Sequence, residues 1–425
     1  MLGPVLPLYV RELGGTDRSV GFITSSRSIG GLIFTLPSGF LAGRYGCKRV
    51  SLTGIAIYFI GCVWGGFVKG INALVFTRLL CGVAYVLYVV PAQTFVRLSV
   101  PQAMRGRVLS MIGGVYRIGG LLGPLAGGLL AQHLGFRAPF FIQAAAVAVA
   151  FPIVVAKMQS DPNDPDAQPP DAAARSATPS GAAAVPAEHA GLRMYVRQNL
   201  ATLLPVAAGA AILAMVRGIR DLLVPLYASD LGLSRAQVGF VTAFSNVGEV
   251  LLFPLGGWML DRIGRRPTGI MAQVIMAAGI LVLGLAPPSS SSALWAGAVL
   301  GCGNALSSGL LMVLSSDVAP RGLAGQFTGA MVFISSLGGA LGPVAVGAIA
   351  QATTLRTAML LAAGAALTGA AFWGWLVPET GGRHFLAAQE TAAAAAAKHR
   401  AEEEEGGVGG DAATVVTTTE PLPQT

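Results

Sequence analysis

Charge is scarce in this chain. Only 11% of its 425 residues are Asp, Glu, Lys or Arg, less than half of the roughly 25% usual for a soluble globular protein. That shortage excludes a domain coated with solvated side chains. Cysteine is equally sparse: Cys47, Cys62, Cys81 and Cys302 stand far apart with no C-x-x-C spacing, which excludes a disulfide framework and a thiolate zinc site. The four histidines, His133, His189, His384 and His399, fall in loops or tails without paired ligands, so no metal site is expected. No glycine-rich nucleotide loop follows a strand, and no triad spacing stands out. We therefore expect no enzyme and no cofactor.

Long apolar runs are present instead. Residues 268–316 carry no charged side chain, and 138–156, 327–355 and 357–378 are similar runs, each close to or above the roughly 20 residues that cross a hydrocarbon layer. Lipid offers the backbone no hydrogen bonds, so such runs are read as helices. The net charge of +8 would suit a nucleic-acid partner, but its placement argues against one. Arg44, Lys48, Arg49, Arg105, Arg107, Arg262, Arg265, Arg266 and Arg321 all fall in short loops on one side of the expected topology. The opposite loops hold Arg11, Arg18, Lys69, Arg137, Arg235 and Arg356. The richer side is expected to be cytoplasmic. The bilayer is thus the first partner, and no nucleic acid is expected.

The chain also repeats itself. Pro7 to Gly46 aligns without a gap on Pro225 to Gly264 at an offset of 218, and Gly119 to Gly128 returns as Gly338 to Gly347 at an offset of 219. Solenoid repeats run to roughly 20–50 residues, so a whole bundle has been duplicated. A channel is disfavoured, because the repeat is a pair of bundles and not a ring of pore helices. Spans are placed at 1–10, 19–42, 51–68, 71–99, 108–132, 138–157, 202–227, 237–260, 268–286, 293–316, 327–351 and 355–377, eleven complete helices and a fragment. The first span is short by roughly 17 residues when measured against its repeat mate; a misassigned start or a truncated chain is expected, and no secretory signal. Four regions follow: a transmembrane bundle over 1–157, a cytoplasmic linker rich in Pro, Ala, Asp and Ser over 158–198, a second bundle over 199–378, and a cytoplasmic tail over 379–425. The linker and tail cannot bury enough apolar surface to order themselves, apart from a short solvated helix around Ala392–Ala397.

Two basic loops are repeat mates. The first reads G-F-L-A-G-R-Y-G-C-K-R from Gly39, and the second reads G-W-M-L-D-R-I-G-R-R-P from Gly257. Gly39 and Gly257 would let helices approach closely and Gly46 and Gly264 would permit tight turns, while the arginines pair with carboxylates or helix C-termini. With the duplicated six-helix plan, these loops resemble the major facilitator superfamily, whose signature between helices two and three is G-x-L-A-D-R-x-G-R-R. The resemblance implies an all-α integral membrane fold of two pseudo-symmetric six-helix bundles. It implies that Gly39, Arg44, Gly46, Lys48 and Arg49, with Gly257, Asp261, Arg262, Gly264, Arg265 and Arg266, latch the halves together. Enforcing topology is the alternative role. The first loop has Gly43 where the family has Asp, so the second is favoured.

Gly119 with Gly123, and Gly338 with Gly342, form small-x-x-x-small faces, followed by Pro124 and Pro343 and by Gly127, Gly128 and Gly347. The first set resembles the family's Gly-Pro signature of proton-exchanging exporters; the alternative is close helix packing. Charges inside spans are few: Arg27, Arg78, Arg117, Arg217, Arg220, Asp221 and Glu249. Each costs roughly 2.5–3.5 kcal/mol at the membrane centre unless it meets a partner or a wet cavity. Arg78, opening R-L-L-C-G, resembles the family's fourth-helix Arg-x-x-x-Gly motif of proton coupling. Its neighbours Tyr85 and Tyr88 are read as packing residues. Glu249 lies nearest the middle of a span, where desolvation favours the neutral form of a carboxylate. It is either a proton carrier or the partner of Arg27 or Arg117. Arg217 and Asp221, one turn apart, are expected to pair. Arg27, Arg117, Arg217, Asp221, Asn246 and Asn304 are the candidate cavity residues; Arg27 and Arg117 alternatively attract an anionic solute. The phrase V-P-E-T at Val377 to Thr380 resembles the close of sugar porters, but Asn246, Asn304, Ser307 and Ser308 are too few for a polyol site. The expectation is a monomeric secondary transporter that exports a small organic solute in exchange for protons. Uptake, uncoupled diffusion or a transport-dead membrane sensor or truncation product remain as alternatives.

Overall fold

A computed structural model of the chain describes residues 1–99, 102–158, 197, 199–318 and 324–380. The linker and tail expected over 158–198 and 379–425 lie outside these residues, apart from Met158, Arg197, Glu379 and Thr380. Arg321 and the helix expected at Ala392–Ala397 also lie outside, and the side chains of Arg105 and Arg107 are not described. The described chain is helical throughout: α1 (Leu2–Glu12), α2 (Asp17–Tyr45), α3 (Cys47–Phe67), α4 (Ile71–Ser99), α5 (Gln102–Leu134), α6 (Ala138–Lys157), α7 (Leu200–Asp230), α8 (Arg235–Arg262), α9 (Arg265–Leu285), α10 (Ser290–Ser307), α11 (Leu310–Asp317), α12 (Ala324–Ala352) and α13 (Leu355–Trp375).

The duplication is visible in how the helices begin and end. Thr16 caps α2 by accepting from the Ser19 amide, and its repeat mate Ser234 caps α8 by accepting from the Gln237 amide, each satisfying one donor that a helix start leaves free. Past their far ends, Gly46 and Gly264 take φ values of 83° and 122°, conformations that a side chain would strain. Within the first half α2 packs on α4, α3 on α4 and α3 on α6; in the second, α8 packs on α10, α9 on α10 and α9 on α13. These are repeat-related pairs. The halves meet along α2 with α12 and along α5 with α8, again one arrangement used twice.

Nine stretches among the described residues are long and apolar enough to cross a bilayer. The spans expected over 19–42 and 108–132 correspond to α2 and α5, which are long enough yet do not meet that apolar standard. Both line the seam between the halves. The span expected over 293–316 differs more: it is broken into α10 and α11, with Gly309 at φ 89°. Irregular backbone at membrane depth is tolerated where protein or a wet cavity satisfies it, and the break adjoins the cavity described next. Meanwhile Ile60, Phe67, Leu204, Leu361 and Trp375 are exposed, as suits side chains solvated by lipid.

Candidate functional site

Four helices aim polar side chains into a cavity of about 610 Å³ between the halves, and Tyr85 of α4 adds an aromatic wall. From α7 come Arg217, Arg220 and Asp221; from α8, Asn246 and Glu249; from α10, Asn304; from α5, Tyr116 and Arg117. Glu249 is the centre of the arrangement. Its carboxylate accepts from Asn304 Nδ2 at 2.5 Å and lies 4.0 Å from Arg117 Nε. Asn304 in turn accepts from Arg217 Nε at 2.7 Å. Arg117 reaches across from the first half, donates to Ser308 Oγ at 2.5 Å beside the α10 break, and stacks 3.5 Å over the Phe253 ring.

Sequence spacing misjudged two of these partners. Arg217 does not pair with Asp221 as expected; it turns to Asn304, and Asp221 lies 3.5 Å from Arg220 instead. Arg27 does not line the cavity: its guanidinium sits 4.4 Å over Tyr85. Of the two expected partners for Glu249, Arg117 is the one beside it. Arg78 is buried in α4 away from the cavity lining, with its Nε unpartnered.

Arg220 stood in a span without a role in the sequence. It proves to be an organiser, donating to the Ser245 carbonyl at 3.0 Å and to Asn246 Oδ1 at 2.6 Å. Asn246 then donates to the Gly120 carbonyl of the first half at 2.8 Å. Pro124 has no amide hydrogen, so Gly120 lacks its helical donor, and Asn246 supplies one from the other half. Tyr85, read as packing, and Tyr116 were missed as lining residues; nothing in their spacing marks them.

Glycines set how closely the halves approach. A Cβ on Gly128 would lie 2.8 Å from Gly239 Cα, and one on Gly347 would lie 2.9 Å from Gly21 Cα. These are repeat-equivalent contacts, one per seam. Gly338 and Gly342 instead press on the Ala211 and Met215 carbonyls of α7, while Gly123 and Gly127 meet the backbone of Met1 and Gly119 has open space beside it. The expected approach at Gly39 and Gly257 is not made, since nothing described lies within 4 Å of a Cβ at either. The contact is one residue earlier. Gly256 abuts the Ala305 carbonyl of α10, and its mate Ser38 donates to the Val86 carbonyl of α4.

The family model of the Major Facilitator Superfamily matches residues 1–216 and 206–402. The chain belongs to this superfamily. It is a multi-pass membrane protein of a transporter family, which is not a family of enzymes. The chain is 22% identical to an uncharacterized MFS-type transporter of Methanocaldococcus jannaschii over 82% of its own length and 86% of that protein. It is 35% identical to multidrug resistance protein MdtG of Escherichia fergusonii, over 36% of this chain and 38% of that one. The inward-open structure of the xylose transporter XylE from E. coli superposes with a TM-score of 0.69 at 17% identity, covering 90% and 93% of the two chains. At that identity the likeness is one of fold.

The superfamily's two basic loops are placed differently. In the first, Arg44 stacks 5.5 Å over its neighbour Tyr45; Lys48 and Arg49 open α3. In the second, Arg262 stacks 5.5 Å over Trp258 and Asp261 is exposed. Arg265 engages another acid, Asp317, at 2.9 Å, and also donates to the Leu260 carbonyl. Glu379, from V-P-E-T, caps α9 by accepting from the Arg265 and Arg266 amides at 2.7 and 3.0 Å. Thr380 adds a bond to Asp317. The carboxylates that answer this loop therefore come from its own half. The loop motif marks neither acid, and Glu379 stands out only as part of V-P-E-T.

Proposed function

We propose that this superfamily member exports a small organic solute in exchange for protons, with Glu249 as the proton carrier and Arg117 as its partner across the seam. One observation carries the reading. Glu249 is held in the cavity between Arg117 of the first half and Asn304 of the second, where its charge state acts on both. The other charges around it are Arg217 and Asp221 of α7, with Arg220 beyond them. While ionised, Glu249 attracts Arg117 and helps hold α5 against α8. Protonation removes that attraction and frees the guanidinium, so the seam loosens as the charge is lost.

The remaining contacts suit alternating access, in which two bundles rock about a central site. Among the described residues, ionic ties between the halves at the helix ends gather on the side away from the basic loops: Arg11 with Asp230, and Arg235 with Glu12 at 3.6 Å. Arg235 also donates to the Ala131 carbonyl. Given cytoplasmic basic loops, this is an inward-open state ready to load solute from the cytoplasm. Export is favoured by the likeness to a multidrug resistance protein.

The test is flux in vesicles holding the purified protein, driven by a pH gradient. Glu249→Gln is expected to abolish gradient-driven movement while leaving solute counterflow in place. Undiminished gradient-driven flux would overturn Glu249 as the carrier, and a lack of gradient-driven solute accumulation in inside-out vesicles would overturn export.

A further inference from the structure

We infer that the solute taken by this cavity is zwitterionic, carrying one cationic and one anionic group that insert between Arg117 and Glu249. This rests on the reading that the cavity is the transport site. The lining holds three guanidinium groups, Arg117, Arg217 and Arg220, against two carboxylates, Asp221 and Glu249. Two of the guanidiniums are incompletely used: the buried Nε atoms of Arg117 and Arg220 have no hydrogen-bond partner. Arg220 is 4% exposed, and a buried donor left unmade is costly. Asp221 is the converse, with 68% of its side chain open and a single ionic neighbour at 3.5 Å.

The Arg117 and Glu249 pair is loose as well. At 4.0 Å it is longer than the roughly 2.7–2.9 Å of a charge-assisted hydrogen bond. A solute bearing both charges can divide it, giving its cation to Glu249 and Asp221 and its anion to Arg117 and Arg220. Arg117 and Glu249 then each keep a counter-charge. A purely cationic solute would take Glu249 and strand Arg117 in a cavity already in cationic excess. A purely anionic solute would take Arg117 and leave Glu249 with the neutral Asn304 amide and no cation from the solute. The zwitterion also occupies the carboxylate that the proton would occupy, so the two compete for one site.

Three probes of one skeleton separate these cases: Nε-dansyl-lysine, which is zwitterionic; dansylcadaverine, its decarboxylated cation; and 6-(dansylamino)hexanoic acid, its deaminated anion. Binding to the purified full chain is read by fluorescence anisotropy. Nε-dansyl-lysine is expected to bind at least about tenfold tighter than either analogue, since it makes one more charge-assisted pair. Asp221→Asn should bring its affinity down toward that of the anion. Equal affinities, tighter binding of the cation, or no saturable binding of any probe would overturn the inference. Its failure is distinguishable from failure of the transport reading: gradient-driven flux of all three probes without preference leaves transport standing, whereas zwitterion-selective binding without flux leaves only the inference.

Discussion

The seams α5 with α8 and α2 with α12 began as copies and have diverged in one respect. Both keep a glycine pair in contact, Gly128 with Gly239 and Gly347 with Gly21. On both, a polar side chain donates to a carbonyl of the opposite half, Asn246 to Gly120 and Ser25 to Ala340 at 2.6 Å, and the first adds Arg235 to Ala131. Among the described residues, an ion pair crosses the α5 and α8 seam alone. The repeat mates of Arg117 and Glu249 are Ser336 and Gly31, and Gly31 packs against Val86 of its own half. Close approach was retained where the bundles must touch, whereas ionisable groups were concentrated where they face a cavity. On the proposed mechanism the first seam responds to protonation of Glu249, and the second, without an ion pair across it, does not.

Breaking that asymmetry should have graded effects. Arg117→Ala leaves Glu249 without its counter-charge. Removing one partner of a buried pair costs roughly 3–5 kcal/mol, and partial exposure here should bring this to about 2–3 kcal/mol, read as a lower Tm in detergent. Ser336→Ala, the matching change on the other seam, should leave Tm nearly unmoved; equal losses would erase the distinction. Next come the glycines. Gly128→Ala and Gly347→Ala both force backbones apart, at about 1–3 kcal/mol each, and here the two seams should respond alike. A smaller contrast lies in the bridging bonds. Asn246→Ala strands both the Gly120 carbonyl and an Arg220 donor, a loss of about 1–3 kcal/mol, while Ser25→Ala removes one neutral bond of about 0.5–1.5 kcal/mol. Smallest is Asp230→Asn, which weakens a partly exposed tie to Arg11 by about 0.2–1 kcal/mol; its effect should fade in high salt.

Much of this asymmetry was legible in the sequence, because duplication supplies its own reference. The two halves, the paired loops and Glu249 opposite Gly31 follow from alignment alone. Side-chain direction does not. Arg27 and Arg117 were equal candidates for Glu249 because spacing along a chain says nothing of how α2 and α5 are rotated. Arg217 and Asp221 looked like a pair at one-turn spacing, but Asn304, 87 residues away, competes better from α10. The break at Ser308 and Gly309 was hidden inside a charge-free run, where apolar composition masks backbone geometry. Asp317 and Glu379 were invisible as partners of Arg265 because the loop motif directs attention to Asp261, which is exposed.

The central claim is that Glu249 takes up the proton that loosens the α5 and α8 seam. Infrared difference spectra of the purified protein on acidification observe this directly. A protonated-carboxyl band should grow in the native chain and in Asp221→Asn, and be missing in Glu249→Gln. A band of undiminished size in Glu249→Gln would contradict the account.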